Sequence, residues 1–518
     1  MIVGKKFFHL AVLSFLLDLN KRLLVTLVNV NLSFLFITTS AMISLNLVEA
    51  AEKNLDIEIP DLDLAIEASY PKLRTSGYIK NETAYRYREP RSYTKIRNTL
   101  QVESSYEVDE SSKFHFVGRA YHDVVYDLFD YDTITARNTR EIEQPLAFVE
   151  NLPQEKDSNV AEIRELYVEA RNSWSDMRVG KQFVVWGVLP GVRVVDELNP
   201  MDFKELITPS LLDYRISLWS LKIDTYWRDN DFQLVWIPDI KFHKPAPRGS
   251  EWELFQEVPG TEFPNAARLE NSEVGLRVKR TVFGAEFSLS YFYTWDDFPV
   301  LFREALVEQE SGQGNTIIEP KLFPAYKRMH MLGGTFQHTI KGQIINAEGA
   351  FVRGKYFGLK AIDRDKDGYL DHQGVLKRDH VRLGLGLDFN IFQAEISPSV
   401  TQWVIFNYDP AILQDKYDTS FNLFIRKTFT KRSAVFEMLS IFLFNLEEAY
   451  IKPKFSFRPD SQFEIAVGLD LFYGDKSKLG VIAQDGRPTD LLVVSQSSQF
   501  IGNFDQNDRL FAEFKYSF

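Results

Sequence analysis

From about Leu73 to the C-terminus, apolar and polar positions alternate with a period of two, in runs separated by turn-forming residues. Between Phe283 and Trp295, the residues Phe283, Ala285, Phe287, Leu289, Tyr291, Tyr293 and Trp295 alternate with Gly284, Glu286, Ser288, Ser290 and Thr294. Between Val381 and Phe389, an apolar face of Val381, Leu383, Leu385, Leu387 and Phe389 stands opposite Arg382, Gly384, Gly386 and Asp388. Phe463 to Tyr473 repeats the pattern, with Glu464, Ala466, Gly468 and Asp470 on the second face. The chain closes the same way: Leu510, Ala512, Phe514, Tyr516 and Phe518 are apolar, whereas Arg509, Glu513, Lys515 and Ser517 are polar. Each run has about the 9–11 residues that a tilted strand needs to cross a bilayer. The two environments implied are lipid on one face and a lumen on the other.

The connections sharpen this picture. Roughly 18 strands, within a range of about 16–20, are counted by the alternation, and their connections tend to alternate short and long. Short ones fall near Val108–Ser111, Asn172–Ser175, Asp229–Asn230, Lys279–Val282, Thr339–Gly342, Thr430–Ser433 and Pro459–Ser461. Long ones fall near Asp127–Val160, Val188–Arg215, Pro238–Asn271, Asp297–Tyr326, Phe357–Leu376 and Gly474–Asn507. The fold class expected is all-β: a transmembrane antiparallel β-barrel with short periplasmic turns and long extracellular loops, in a bacterial outer membrane. The terminal Phe518 resembles the signal by which the outer-membrane assembly machinery recognises its clients. That machinery, membrane lipid and lipopolysaccharide are therefore expected partners.

Composition agrees and narrows the function classes. Aromatics make up 14% of the chain, with 42 Phe and 22 Tyr, as girdles at two membrane interfaces require. The absence of cysteine excludes disulfides, thiolate metal sites and a Cys nucleophile. In the first 50 residues, Lys5 and Lys6 precede one apolar stretch, Lys21 and Arg22 precede another, and Val48-Glu49-Ala50 is a small-residue cleavage site. We read residues 1–50 as a signal peptide, 51–72 as a periplasmic segment and 73–518 as the barrel. Leu23 to Leu47 is also long enough for a helical anchor, and Glu52–Ala68 would suit a tail or a short plug. Removing residues 1–50 takes away four basic and two acidic side chains, so the formal charge of −12 becomes −14. So acidic a chain lacks the basic footprint of nucleic-acid binding.

Candidate chemistry concentrates in the connection near Val188–Arg215, by count the third extracellular loop. Asn199-Pro200 suits a helix start, which would give Leu198, Met201, Phe203 and Leu206 a short apolar face against the inner wall. Arg193, Asp196, Glu197, Asp202 and Arg215 would then line a pore constriction and select solutes by charge. The alternative is a loop that caps the rim with its charges solvated. Gly-Lys-Gln at 180–182, Trp186-Gly187, and Asp-Glu-Leu-Asn-Pro-Met-Asp at 196–202 resemble a segment of a poorly characterised family of proteobacterial outer-membrane barrels, described as a domain of unknown function. The resemblance implies a porin-like outer-membrane barrel and says little about cargo.

Alternation also assigns a lumen. With Leu166, Val168 and Ala170 toward lipid, Glu165, Tyr167, Glu169 and Arg171 face inward, as do Arg178, Gln182, His380, Arg382, Glu395, Glu464 and Asp470. Such charges either line a water path or pair into a network that fills the barrel. Asp363, Asp365, Asp367, Tyr369 and Asp371, with Gly368 among them, have the spacing of the first nine positions of an EF-hand calcium loop. Gly374 stands where that motif has its bidentate Glu, so Ca2+ binding there would be weakened, and the alternative is an acidic turn facing solvent. No other cofactor is expected. The seven histidines after residue 50 form no HExxH, and no GxSxG elbow occurs, so no catalytic residues are assigned. The function expected is a porin-like channel passing small hydrophilic or amphipathic solutes by diffusion. The alternatives are a barrel enzyme acting on lipid or protein and a non-conducting barrel with a structural or export role.

Overall fold

The computed structural model describes residues 73–129, 133–134, 159–247, 250–253, 261–266, 268–309, 315–360, 369, 371–429, 433–475 and 500–518, with four two-residue strands at 479–480, 483–484, 487–488 and 494–495. The expected signal peptide and periplasmic segment lie outside these residues. Eighteen strands follow one another in chain order around a closed antiparallel sheet. They are β1 (Leu73–Arg86), β2 (Ser92–Glu107), β3 (Ser112–Asp123), β4 (Asn159–Arg171), β5 (Ser175–Gln182) and β6 (Leu218–Trp227). Then come β7 (Asn230–Ile237), β8 (Glu273–Val282), β9 (Ala285–Trp295), β10 (Arg328–Ile340), β11 (Gln343–Gly358) and β12 (Val375–Ile391). The circuit ends with β13 (Ala394–Ile405), β14 (Tyr417–Phe429), β15 (Ala434–Leu443), β16 (Glu448–Phe457), β17 (Phe463–Tyr473) and β18 (Arg509–Ser517).

Closure is made by β18, which pairs with β17 on one side and with β1 on the other, from Tyr78↔Ser517 to Arg86↔Arg509. Gly77 and Phe518 extend that seam by exchanging backbone hydrogen bonds of 2.9 and 3.0 Å. No strand edge is left, which matters because hydrocarbon offers no partner to an unpaired N–H. Outward positions such as Val168, Leu289, Leu332, Leu385, Val467 and Leu510 are exposed, while positions of the other face, such as Glu169, Ser290, Asn346, Glu348, Asp470 and Arg509, are buried inside. The alternation seen in the sequence is thus the two faces of one wall.

Connections on the rim that holds both Leu73 and Phe518 are short. They include the tight turns Arg228-Asp229, Phe283-Gly284, Lys341-Gly342 and Phe392-Gln393, and in each the first residue has positive φ. The other rim carries the long loops, one of which (residues 296–327) holds a two-stranded hairpin, Val300–Gln309 paired with Asn315–Ala325. A bulge in β4 puts both Arg164 and Glu165 inward and re-aims Arg164 at the loop before β6.

Because Leu385 points outward from the middle of β12, a Leu385→Arg exchange should destabilise the inserted barrel by about 2–4 kcal/mol. Urea unfolding in lipid vesicles would measure it.

Candidate functional site

The loop between β5 and β6, residues 183–217, lies against the inner faces of strands on both sides of the barrel. It forms no helix at Asn199-Pro200. The Asn199 side chain instead bridges the loop, accepting from Val184 N at 2.9 Å and donating to the Ile216 carbonyl at 2.9 Å. Met201 then pairs with Arg215 as an isolated β-bridge, and Asp202 pairs with Lys244 of the following loop. The single helical turn of this segment comes later, at Leu211–Tyr214, where Ser210 accepts the Asp213 N–H as its cap.

The loop's first limb is fastened by one carboxylate. Glu348 on β11 accepts the N–H groups of Val188, Leu189 and Val195 at 2.5, 2.7 and 3.1 Å. Around this anchor Trp186, Leu189, Val194, Val195 and Leu198 pack on Leu218, Val235, Ile237, Phe292, Met331 and Val352 of the wall. The Trp186 indole donates to Gln233 at 2.6 Å and meets the Phe292 ring edge-on. Glycine makes the close approach feasible: a Cβ on Gly275 would stand 2.7 Å from the Trp186 ring, and one on Gly384 2.4 Å from Leu189.

Four of the five residues proposed for the constriction serve this anchorage. Asp196 and Arg215 form a buried ion pair, and the Asp196 carboxylate also takes the Trp186 N–H. Arg193 donates to the carbonyls of Asp196 and Asn199 at 2.6 and 2.9 Å. Glu197 pairs with Arg382 at 2.7 Å, and that guanidinium lies 4.2 Å over the Trp403 ring. Burial alone would raise the Glu197 carboxyl, but Arg382 and Arg193 outweigh it and hold it at about 2. Beside it, burial and then Arg193 push His243 down to about 3. His243 Nδ1 accepts the Met201 N–H at 2.8 Å, so its 3.8 Å contact with Asp297 is a neutral one rather than an ion pair. The fifth residue, Asp202, lines the cavity described next.

The second limb crosses to the opposite wall. Glu205 stands at its tip, 2.5 Å from both Lys95 and Arg97 of β2 and 3.7 Å from Arg509 of β18. Lys204 donates to the Tyr121 hydroxyl at 2.5 Å, and Lys452 of β16 donates to the Thr208 carbonyl at 2.5 Å. Asp213 meets Arg119 of β3 at 3.0 Å. Burial opposes charge on Glu205, yet Arg97, Lys95 and Arg509 bring its carboxyl well below the usual carboxylate range.

Between this limb and the wall lies a cavity of about 560 Å3. One side is charged, with Lys80 and Glu82 of β1, Arg119 of β3, and Lys454 and Glu513 of β16 and β18. The other is apolar, with Phe424 of β14 and Leu439, Ile441 and Leu443 of β15, joined by Ile207 and Phe500. Sequence reasoning passed over Lys204, Glu205 and Ile207, because the assumed helix made Leu206 the informative position. The strongest available signal was the run of Lys95 and Arg97 on a lumen face, which calls for an acidic partner.

The remaining assigned residues fall as follows. Glu169 is buried between Arg178, at 2.5 Å, and Arg171; Glu165 accepts from Phe183 N at 3.4 Å; Gln182 donates to the Ser220 carbonyl at 3.2 Å. Asp363, Asp365 and Asp367 lie outside the described residues, and Asp371 opens a turn at 371–374. Among the described residues, no three His, Cys, Asp or Glu side chains gather as a metal site.

A closed antiparallel barrel with an apolar outer belt, tight turns at one rim and long loops at the other is a bacterial outer-membrane protein. Residues 81–232 match the model of a family described as a protein of unknown function, DUF1302, and this span contains Gly180–Asp202. No curated protein matches the sequence. Among solved structures, OccAB2 of Acinetobacter baumannii is 10% identical with a TM-score of 0.45, over 86% of this chain and 98% of its own. OccK8 (OprE) of Pseudomonas aeruginosa is 8% identical with a TM-score of 0.44, over 86% and 98%. OpdK of Pseudomonas aeruginosa, crystallised with vanillate, is 7% identical with a TM-score of 0.45 over the same shares.

A Glu348→Ala exchange strips the partner from three backbone N–H groups and should destabilise the loop by about 3 kcal/mol or more. Hydrogen exchange should then lose protection over residues 183–217 while the strands keep theirs.

Proposed function

We propose that the barrel is a channel for the passive diffusion of small amphipathic or hydrophilic solutes, narrowed by the loop between β5 and β6. The observation that carries this reading is the two-sided cavity, with paired charges along β1–β3 and β16–β18 and an apolar strip along β14–β15. A solute with a polar head and an apolar body can keep both parts matched while passing such a surface, and needs no conformational cycle. The constriction is then set by Lys204, Glu205 and Ile207 at the loop tip, with Asp202 beside them. No residue is assigned a catalytic role.

A non-conducting barrel is the second reading, favoured by the tight packing of Trp186, Leu189 and Leu198 on the wall of β6–β11. Planar-bilayer recording separates the two. Refolded protein should give discrete conductance steps, and Glu205→Gln, which uncovers Lys95, Arg97 and Arg509, should shift ion selectivity toward anions. Silence from folded, inserted protein would overturn the channel. Steps whose selectivity ignores Glu205→Gln would move the constriction elsewhere.

The pH dependence follows from the same groups. A carboxyl held below its unfolded value stabilises the fold above that value, and the contribution is lost as pH falls through the folded one. Glu205 and Glu197 are both lowered, and His243 stays neutral, so these three groups should contribute no change in conductance or selectivity between about pH 5 and pH 8. We also keep residues 363–371 as a weak calcium loop, to be checked by titrating the folded barrel with Ca2+ before and after Asp365→Asn. Equal heats in both would discard it.

A further inference from the structure

The outer surface of the barrel carries a second concave feature, at the long-loop rim and facing away from the lumen. It is a recess of about 670 Å3 between β9 and the loop after β13, lined by Arg328, His330, Arg353, Lys377 and Arg378 beside Tyr293. Neighbours fix the outward direction of three of these. Met329, Met331 and Val352 are buried in the inner cluster, so Arg328, His330 and Arg353, one position away, stand on the outer face.

The charge there is strongly net positive. Asp379 is the single acid among the lining residues, and its carboxylate accepts the Gly354 N–H at 3.0 Å. Arg328 donates to the carbonyls of Glu270 and Ser272, and its guanidinium sits over the Tyr293 and Trp295 rings at 4.5 and 4.1 Å. Arg378 bonds the Asn407 and Lys377 carbonyls, and the Lys377 ammonium lies 5.6 Å over the Tyr356 ring. Carbonyls and rings orient these cations without neutralising them. Among the described residues, no carboxylate forms an ion pair with Arg328, Arg353, Lys377 or Arg378, in contrast to the paired cations of the lumen. Cations facing hydrocarbon are costly, whereas at the depth of the headgroups they are matched by anions. The aromatic side chains Tyr291, Tyr293 and Trp295 mark that depth.

We propose that this recess binds a phosphate group of an anionic glycolipid in the outer leaflet. Arg353 and Lys377 receive the phosphate oxygens, Arg328 and Arg378 supply the surrounding positive field, and the Tyr and Trp rings flank the sugar and the first acyl carbons. A lipid source is favoured over free phosphate by position, since the recess opens sideways from the wall above the apolar belt. The assignment is independent of solute passage through the lumen.

Native mass spectrometry of the whole barrel in detergent tests it, with bisphosphorylated lipid A, dephosphorylated lipid A and inorganic phosphate as probes. Bisphosphorylated lipid A should remain bound, and Arg353→Gln with Lys377→Gln should weaken it about tenfold or more, as loss of charge-assisted contacts implies. Dephosphorylated lipid A should bind the native protein as weakly as that variant binds the phosphorylated form. Equal binding of both lipids, or an unchanged affinity in the variant, overturns the proposal. Displacement of lipid A by millimolar inorganic phosphate overturns the glycolipid assignment and leaves a free-anion surface. Heat-modifiable gel migration establishes that each variant is folded, and the single exchanges serve if the double one is not.

Discussion

The interior of this barrel is organised by carboxylates that take the place of water for incoming backbone. A loop entering a narrow lumen must find acceptors for its N–H groups, and side chains on the rigid wall are the only dependable source. Glu348 provides this for the loop before β6, accepting three N–H groups. Glu448 on β16 repeats the arrangement for the last loop, accepting Phe500, Ile501 and Gly502 at 2.8, 2.8 and 3.0 Å. Each bond is charge-assisted and held in a low-dielectric setting, where its loss would leave a buried donor bare. Two apolar clusters form around these anchors, one with Trp186 and Leu198, the other with Leu206, Phe472 and Phe504.

From that anchorage the asymmetry of the lumen follows. The first limb of the loop packs so closely on β6–β11 that this sector is filled by apolar side chains against glycine. The second limb reaches the facing wall through ion pairs at Glu205 and Asp213, which hold it at arm's length. Long charged side chains leave space that packed leucines do not, and the cavity lies on that side. Arg509 links both systems, bonding Asp470 at 2.6 Å and Thr208 at 2.8 Å while belonging to the strand that closes the barrel. Closure of the wall and placement of the loop are therefore coupled.

Most of the wall was legible because two solvents impose a strict period of two. The strand count, the short and long connections and the lipid-facing positions all follow from it. Among the tight turns, the one expected at Lys279–Val282 falls instead at Phe283-Gly284, and Phe392-Gln393 was missed because both its residues hold positive φ without the glycine or asparagine that usually announces such a turn. The loop was legible in part. Its apolar residues Leu198, Met201 and Leu206 are buried, yet the helix drawn from Asn199-Pro200 does not form, since Asn199 serves as a cross-loop bridge. A capping signal is local, whereas this geometry is set by Glu348, more than a hundred residues away along the chain. The same limit explains why Glu205 escaped notice: its three cations come from β2 and β18.

The most direct test exploits the absence of cysteine from the chain, which makes an introduced thiol unique. Ile207→Cys places that thiol on the loop tip at the cavity. Treatment with a charged methanethiosulfonate during single-channel recording should produce a stepwise fall in conductance that a reductant restores. Unchanged conductance after modification verified by mass would contradict a constriction built from this loop.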